Sequence, residues 1–408
     1  MRPVPRLLSF QSPMRVSESA DEEKAAWKQV LAITFFVIFN IGLNEFNSWA
    51  LTKGKWPGFH FSWFYTMFHM LVSAGAAYLL QWLVIKPKLG GPTFQQAWDY
   101  KLLIIPMGIC SYMMNGLNNA SLSLVSLFLN QAIKATMPMP TMFFSFLFAG
   151  KSYSAPMVFV VFCLCVGSIL SVWYKVANDV DEGRSSQLVG VLMCVVGLAA
   201  ASIKPVLVMM LTDGLSSDKL PRLEPIVVLY YDCVLAFACM LTTWACLDER
   251  HESLAYLSDP ETRGIGIGII ALGSMLAFLF NMSNFYFIKL TTALTSTVGG
   301  SGVKVLLILA SAVQAGVNDT VSWCGVVTVV FAIIGYSYLN LQASLRTQDL
   351  FDSFVITLSS ASAPDRPRNP FTMGFSTKAI GCCARLKRSI SPPWPLNQST
   401  SAAKVTFS

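Results

Sequence analysis

Val125-Ser126-Leu127-Phe128-Leu129-Asn130-Gln131-Ala132-Ile133-Lys134-Ala135-Thr136-Met137-Pro138-Met139-Pro140 lies inside an apolar run over residues 122–149. A bilayer-spanning helix needs about 20 mainly apolar residues, because its backbone must satisfy its own hydrogen bonds where water is absent. This run is long enough, yet it carries a lysine at its middle and prolines just after. A charge at the bilayer centre costs about 2.5–3.5 kcal/mol even on the gentlest scale, so it tends to line a polar cavity and serve a function. The stretch therefore reads as a membrane span with a site built into it.

Nine further stretches meet the same length test on either side of it. Together the ten cover 27–50, 61–85, 102–120, 122–149, 153–176, 188–212, 226–247, 264–288, 291–316 and 321–344. Composition agrees: 54% of residues are hydrophobic and 12% charged, with a mean hydropathy of +0.55. A soluble chain carries about a quarter charged residues. Ten cysteines without a Cys-x-x-Cys pair argue against a disulfide scaffold or a zinc module. With 3 histidines and 22 acidic residues there is little material for a catalytic constellation, so an enzyme is not expected and no cofactor is called for. The net charge of +7 sits mostly in the C-terminal tail, where residues 345–408 hold eight basic and three acidic groups. No basic face with interleaved aromatics is present, which excludes nucleic acid as a partner.

The expected fold class is an all-α membrane protein of ten transmembrane helices. The layout is an N-terminal tail over 1–26, five helices over 27–176, a connection over 177–187, five more helices over 188–344, and a disordered basic tail over 345–408. An even number of spans places both termini on one side, and the excess of Lys and Arg in the tails makes that side the cytosol. Ten spans divided into two sets of five put the halves in opposite orientations, the inverted-repeat plan of secondary transporters. Lys134 in the fourth span and Lys304 in the ninth then occupy equivalent positions, each eight residues after a serine, Ser126 and Ser296. Lys204, just before Pro205 in the sixth span, is the third intramembrane lysine. No neutralising carboxylate is apparent for any of the three, since Glu45 and Asp232 fall near span ends. Unpaired cations in a polar cavity suit a phosphate or diphosphate.

Amide side chains gather near the first lysine. Asn115, Asn118 and Asn119 share one face of the third span by their i, i+3, i+4 spacing, and Asn130 and Gln131 lie about one turn before Lys134. Asn40 and Asn44 in the first span, and Asn281 and Asn284 in the eighth, show the same helical spacing. Amides read sugar hydroxyls or base edges without adding charge, and Tyr112 and Tyr286 are candidate stacking partners for a base.

The segment Asn118-Asn119-Ala120-Ser121-Leu122 … Val125-Ser126 … Asn130-Gln131-Ala132-Ile133-Lys134-Ala135 … Pro138 resembles the signature of the triose-phosphate translocator and nucleotide-sugar transporter family of the drug/metabolite transporter superfamily. Thr291-Thr292-Ala293-Leu294-Thr295 … Gly299 … Lys304 resembles its second signature. The resemblance implies ten helices in inverted five-helix repeats and antiport of phosphorylated sugars or nucleotide-sugars. It makes Lys134 and Lys304 the phosphate-binding lysines and sets Asn115 and Asn118 among the polar substrate contacts. Asn119, Gln131, Lys204, Asn44 and Asn284 complete the expected substrate-binding set; no metal is expected. Plastid members carry Lys-Arg at the second site, whereas Val305 follows Lys304 here, as in the Golgi and ER nucleotide-sugar branch. The family's glutamate after the fourth span is replaced by Lys151.

The expected function is therefore import of a nucleotide-sugar from the cytosol into the Golgi or ER lumen, in exchange for a nucleoside monophosphate. The alternatives are an organellar, plastid-type exchanger of triose phosphate or phosphoenolpyruvate for phosphate, and a non-transporting membrane receptor or scaffold. The partners are these substrates and counter-substrates and the membrane lipid; a homodimer is compatible with the sequence.

Overall fold

Proline and glycine decide where the helices begin and end. In the computed structural model of the chain, residues 13–51, 58–85, 94–121, 124–125, 127–171, 184–213, 222–314 and 319–362 are described, and among them every regular element is helical. The helices are α1 Pro13–Leu51, α2 Ser62–Leu80 with a π-helical turn Gln81–Ile85, α3 Phe94–Asp99, α4 Lys101–Ser121, α5 Leu127–Ala135, α6 Pro138–Ala149, α7 Ala155–Leu170, α8 Arg184–Asp213, α9 Pro225–Cys246, α10 Glu249–Ser258, α11 Pro260–Leu290, α12 Ala293–Gln314 and α13 Thr320–Ser362. A proline occupies one of the first two positions of α6, α7, α9 and α11, where its missing N–H costs nothing. Gly150 closes α6 with φ 62°, and its N–H and that of Lys151 both return to the Ser145 carbonyl. Only glycine takes that left-handed conformation freely.

Among the described residues, six helical segments are long and apolar enough to cross a membrane: Trp27–Leu51, Ser62–Leu83, Leu188–Asp213, Pro225–Cys246, Pro260–Leu290 and Thr320–Ala343. Their outward faces carry large apolar side chains such as Phe35, Leu188 and Phe331, a surface that water would penalise and lipid accepts. Several hydroxyls within the helices turn back onto carbonyls of their own turn, as Thr66 does to Ser62, Ser202 to Leu198 and Thr212 to Val208, which satisfies those donors without water.

The fourth expected span, 122–149, is not one helix. It divides into α5 and α6 at Thr136-Met137, because Pro138 and Pro140 remove two amide donors within one turn. The outer boundaries also differ from expectation. The first helix begins at Pro13, inside the expected tail, and the last continues to Ser362, since no Gly or Pro stands between Gly335 and Pro364 to stop it. Most of the 177–187 connection and residues 363–408 lie outside the described residues. The chain forms two compact units, residues 1–333 and 334–408; the described part of the second is the continuation of α13.

In the first unit the apolar core joins α2, α4, α8, α9 and α11, with Tyr65, Met107, Leu211, Leu229, Met240 and Phe285 among its buried members. The short α10 caps one end of it. Its Glu249 Oε1 accepts the Phe64 N–H at 2.8 Å, satisfying an open donor of the first turn of α2, and Glu252 lies 3.6 Å from His60. Burial pushes the Glu249 carboxyl up, against the pull of the Phe64 and Trp63 amides. At the other end of α11, Lys289 meets Glu224 at 2.7 Å.

Helices α7 and α13 touch backbone to backbone. A Cβ built on Gly325 would lie 2.3 Å from the Ser171 nitrogen and 2.7 Å from the Gly167 carbonyl oxygen, the close approach that small residues permit between membrane helices. Gly325→Ala is expected to cost about 1–3 kcal/mol, while Gly42→Ala, with open space at its Cβ, leaves stability unchanged or raised. Thermal unfolding of the purified protein in detergent measures both.

Candidate substrate site

Pro138 creates the site as well as the break. In a continuous helix the carbonyl of Lys134 would receive the N–H of residue 138, and proline has none. The freed oxygen is reached by the Met137 N–H at 3.2 Å and by the ammonium of Lys304, whose Nζ donates to it at 3.1 Å. Lys304 thus sits at the C-terminus of α5, where the helix dipole favours a cation. The two lysines matched by sequence position are brought together across α5 and α12. Both are partly buried, and among the described residues neither has a carboxylate within ion-pair range.

The second signature explains the placement of Lys304. Thr292 caps α12 by accepting the Thr295 N–H at 3.1 Å and pairs with the Thr295 hydroxyl at 2.9 Å; Ser296 bonds Asn284 Oδ1 of α11 at 3.0 Å. Val305, the residue after the lysine, is buried against Val326, Val329 and Ile333, so α12 offers one cation to the site.

Lys204 has a different environment. It pairs with Asp232 of α9 at 2.8 Å, both side chains nearly fully buried, and Ser111 of α4 donates to the other Asp232 oxygen at 2.5 Å. The sequence reading had no carboxylate for this lysine; α8 and α9 pack so that Asp232, about two turns into α9, faces it. Lys204 is thereby neutralised and also lies 5.3 Å from the Phe285 ring.

The amide face of α4 is polar along its length. Asn115 donates to the Ser111 carbonyl at 2.9 Å, and the Asn118 carbonyl accepts the Ser121 hydroxyl at 2.7 Å. The Asn118 backbone lies against Gly197 of α8. Asn119 belongs to the same helix, and its side chain lies outside the described residues. Asn130 of α5 is fully buried and bridges Ser121 at 2.7 Å and Cys194 of α8 at 3.4 Å. Gln131 is partly buried beside it. Asn44 is occupied by Asn40, through its carbonyl and its side-chain oxygen, each at 2.7 Å. Tyr112 is engaged with Thr243 at 2.8 Å and lies beside the Trp63 ring; His69 is buried with its ring 3.9 Å from that of Tyr65. A cavity of about 460 Å³ opens beside the break, lined by Thr136, Pro140, Phe143 and Leu198 among others. Its walls are apolar and Phe143 is largely exposed, so it is a groove on the outer surface and not the cation site.

Sequence reasoning missed Ser111, Ser121, Cys194 and the role of Asp232. Ser111 extends the Asn115 and Asn118 stripe by one turn, a spacing visible in the sequence; Cys194 carries no such signal.

A lysine ammonium held on the backbone of a second intramembrane lysine at a broken helix, in a bundle of apolar helices, fits an integral membrane transporter. The chain belongs to the UAA transporter family, whose model matches residues 51–340. Among its relatives is a probable sugar phosphate/phosphate translocator of Arabidopsis thaliana, 29% identical over 68% of this chain and 70% of that protein. A second Arabidopsis thaliana protein described in the same words is 24% identical over 80% of this chain and 86% of its own length. In fold it is similar to a solved structure described as "Crystal structure of protein", at 12% identity and a TM-score of 0.50, covering 76% of this chain and 98% of that one. The family is the triose-phosphate translocator and nucleotide-sugar transporter group that the two signatures resemble.

Removing either partner of the buried pair, as in Lys204→Met or Asp232→Leu, strands a charge and is expected to cost about 3–5 kcal/mol. The double variant recovers most of that loss, and thermal unfolding of the three variants beside the parent measures it.

Proposed function

We propose that this protein is an alternating-access antiporter of phosphorylated sugars in which Lys134 and Lys304 bind the phosphate. The observation that carries this reading is the donation of the Lys304 ammonium to the Lys134 carbonyl freed by Pro138. An arriving phosphate offers Lys304 a full negative charge in place of a partial one, and Lys134 a counter-ion among the described residues where it has none. In this reading the ten helices form two inverted repeats, 27–176 and 188–344, with α5–α6 and α12 as the equivalent discontinuous and glycine-rich elements at the midplane.

The leading substrate is a nucleotide-sugar exchanged for a nucleoside monophosphate across the Golgi or ER membrane, with both termini cytosolic. Two lysines without an accompanying arginine support it: Val305 is packed in an apolar cluster, and a diphosphate presents its charge over two groups that two separate cations can share. The amides of α4 and α5, Asn115, Asn118, Asn119 and Gln131, then contact the sugar or base. Lys204, Asn44 and Asn284 serve as positioning residues. A second reading, sugar phosphate exchanged for inorganic phosphate in a plastid-type membrane, is favoured by the description of the Arabidopsis relatives. Neither reading includes an enzymatic step.

Exchange measured in proteoliposomes against a panel of radiolabelled nucleotide-sugars and sugar phosphates separates the two. Lys134→Ala and Lys304→Ala are each expected to lower the exchange rate at least about 10-fold, the loss of a charge-assisted contact of about 1.5–3 kcal/mol, with the fold retained. Exchange by Lys304→Ala at the parent rate would refute the site.

A further inference from the structure

Asn130 has a side chain whose two ends are in unlike states. Its amino group is fully spent, one hydrogen on Ser121 Oγ at 2.7 Å and one toward Cys194 Sγ at 3.4 Å. The orientation of the amide follows from chemistry. The single hydroxyl proton of Ser121 goes to the Asn118 carbonyl at 2.7 Å, so toward Asn130 the Ser121 oxygen can only accept. With the Ser121 proton on that carbonyl, the nitrogen of Asn130 faces Ser121 and its oxygen is the end left over. Its Oδ1 is left buried with no hydrogen-bond partner among the described residues, in a side chain that is 0% exposed. An acceptor buried without a donor is a cost the fold normally avoids.

Asn130 stands four residues before Lys134 on α5, so the two share one helix face. We infer that Asn130 is a specificity-determining residue that selects phosphorylated substrates carrying a hydrogen-bond donor, a hydroxyl or an N–H, about one helical turn from the phosphate held at Lys134. The inference rests on the phosphate site proposed above and adds a demand on the rest of the substrate. A phosphate monoester is an acceptor-only group once fully ionised, so it cannot satisfy Oδ1 itself. A sugar hydroxyl or the N–H of a base does. A substrate whose non-phosphate part bears only acceptors leaves Oδ1 stranded and adds the repulsion of a second acceptor. Ser121 and Cys194 act through Asn130, holding its amide in the one orientation that presents the oxygen.

Calorimetric titration of the purified full chain in detergent with glycerol 3-phosphate and with ethyl phosphate tests this. The two share a phosphate monoester and differ in hydroxyls. The parent is expected to bind glycerol 3-phosphate about 10-fold or more tightly than ethyl phosphate, the discrimination expected when a buried acceptor gains or lacks its donor. Asn130→Leu is expected to bring the two within about 2-fold by weakening glycerol 3-phosphate alone. Ser121→Ala, which lets the amide turn, moves the ratio in the same direction by a smaller amount. Equal affinities in the parent would overturn the inference without any variant, as they would if water already satisfied Oδ1. Equal weakening of both probes in Asn130→Leu would also overturn it, making the residue a structural one. A parent that binds neither probe, nor inorganic phosphate, would overturn the phosphate site itself and the inference with it.

Discussion

The Lys134 carbonyl, deprived of its helical i+4 amide by Pro138 and held instead by the Met137 N–H and the Lys304 ammonium, is the constraint on which the rest of this molecule depends. Proline at 138 makes the vacancy, and the ammonium of Lys304 fills it from another helix. In a soluble protein the same orphan would take a water and carry no information. In hydrocarbon it must be met from within the protein, so the break fixes the register between α5 and α12. The backbone defect and the buried cation each lower the cost of the other.

Two kinds of buried lysine result. Lys204 is paired with a carboxylate from α9 that is itself held by a hydroxyl from α4, and its charge is consumed in holding α4, α8 and α9 together. Lys304 has only a peptide dipole opposite it, and Lys134 less than that. The first arrangement is closed; the second leaves electrostatic demand for a mobile anion. Along α4 the side of Ser111, Asn115 and Asn118 connects the two regions. The ten residues from Ser111 to Ser121 rise about 15 Å, the length over which a substrate with an extended polar part would be in contact with amides.

Much of this was legible in the sequence. Hydropathy located long apolar helices such as α2, α9 and α11 because a bilayer sets a minimum length and one polarity for a span, and the matched lysines stood out because charge is so rare at depth. What stayed hidden has one cause: partners supplied from other helices. Asp232 looked like a terminal carboxylate until the packing of α9 on α8 turned it inward. Asn130 looked like one amide among several until Ser121, nine residues earlier and on a different helix, fixed which of its atoms was spent. The helix break at Thr136-Met137 was signalled by Pro138 and Pro140, but the length test for a span counts residues and is blind to a missing N–H.

The glycine contact between α7 and α13 bears on how such a carrier could move. Where Gly167 and Gly325 let two backbones meet, no side chain lies between them to act as a bearing. Sliding one helix past the other would drive Cβ atoms of the flanking residues into main chain. Helix α7 and the opening turns of α13 are therefore interlocked at this point and resist sliding past one another.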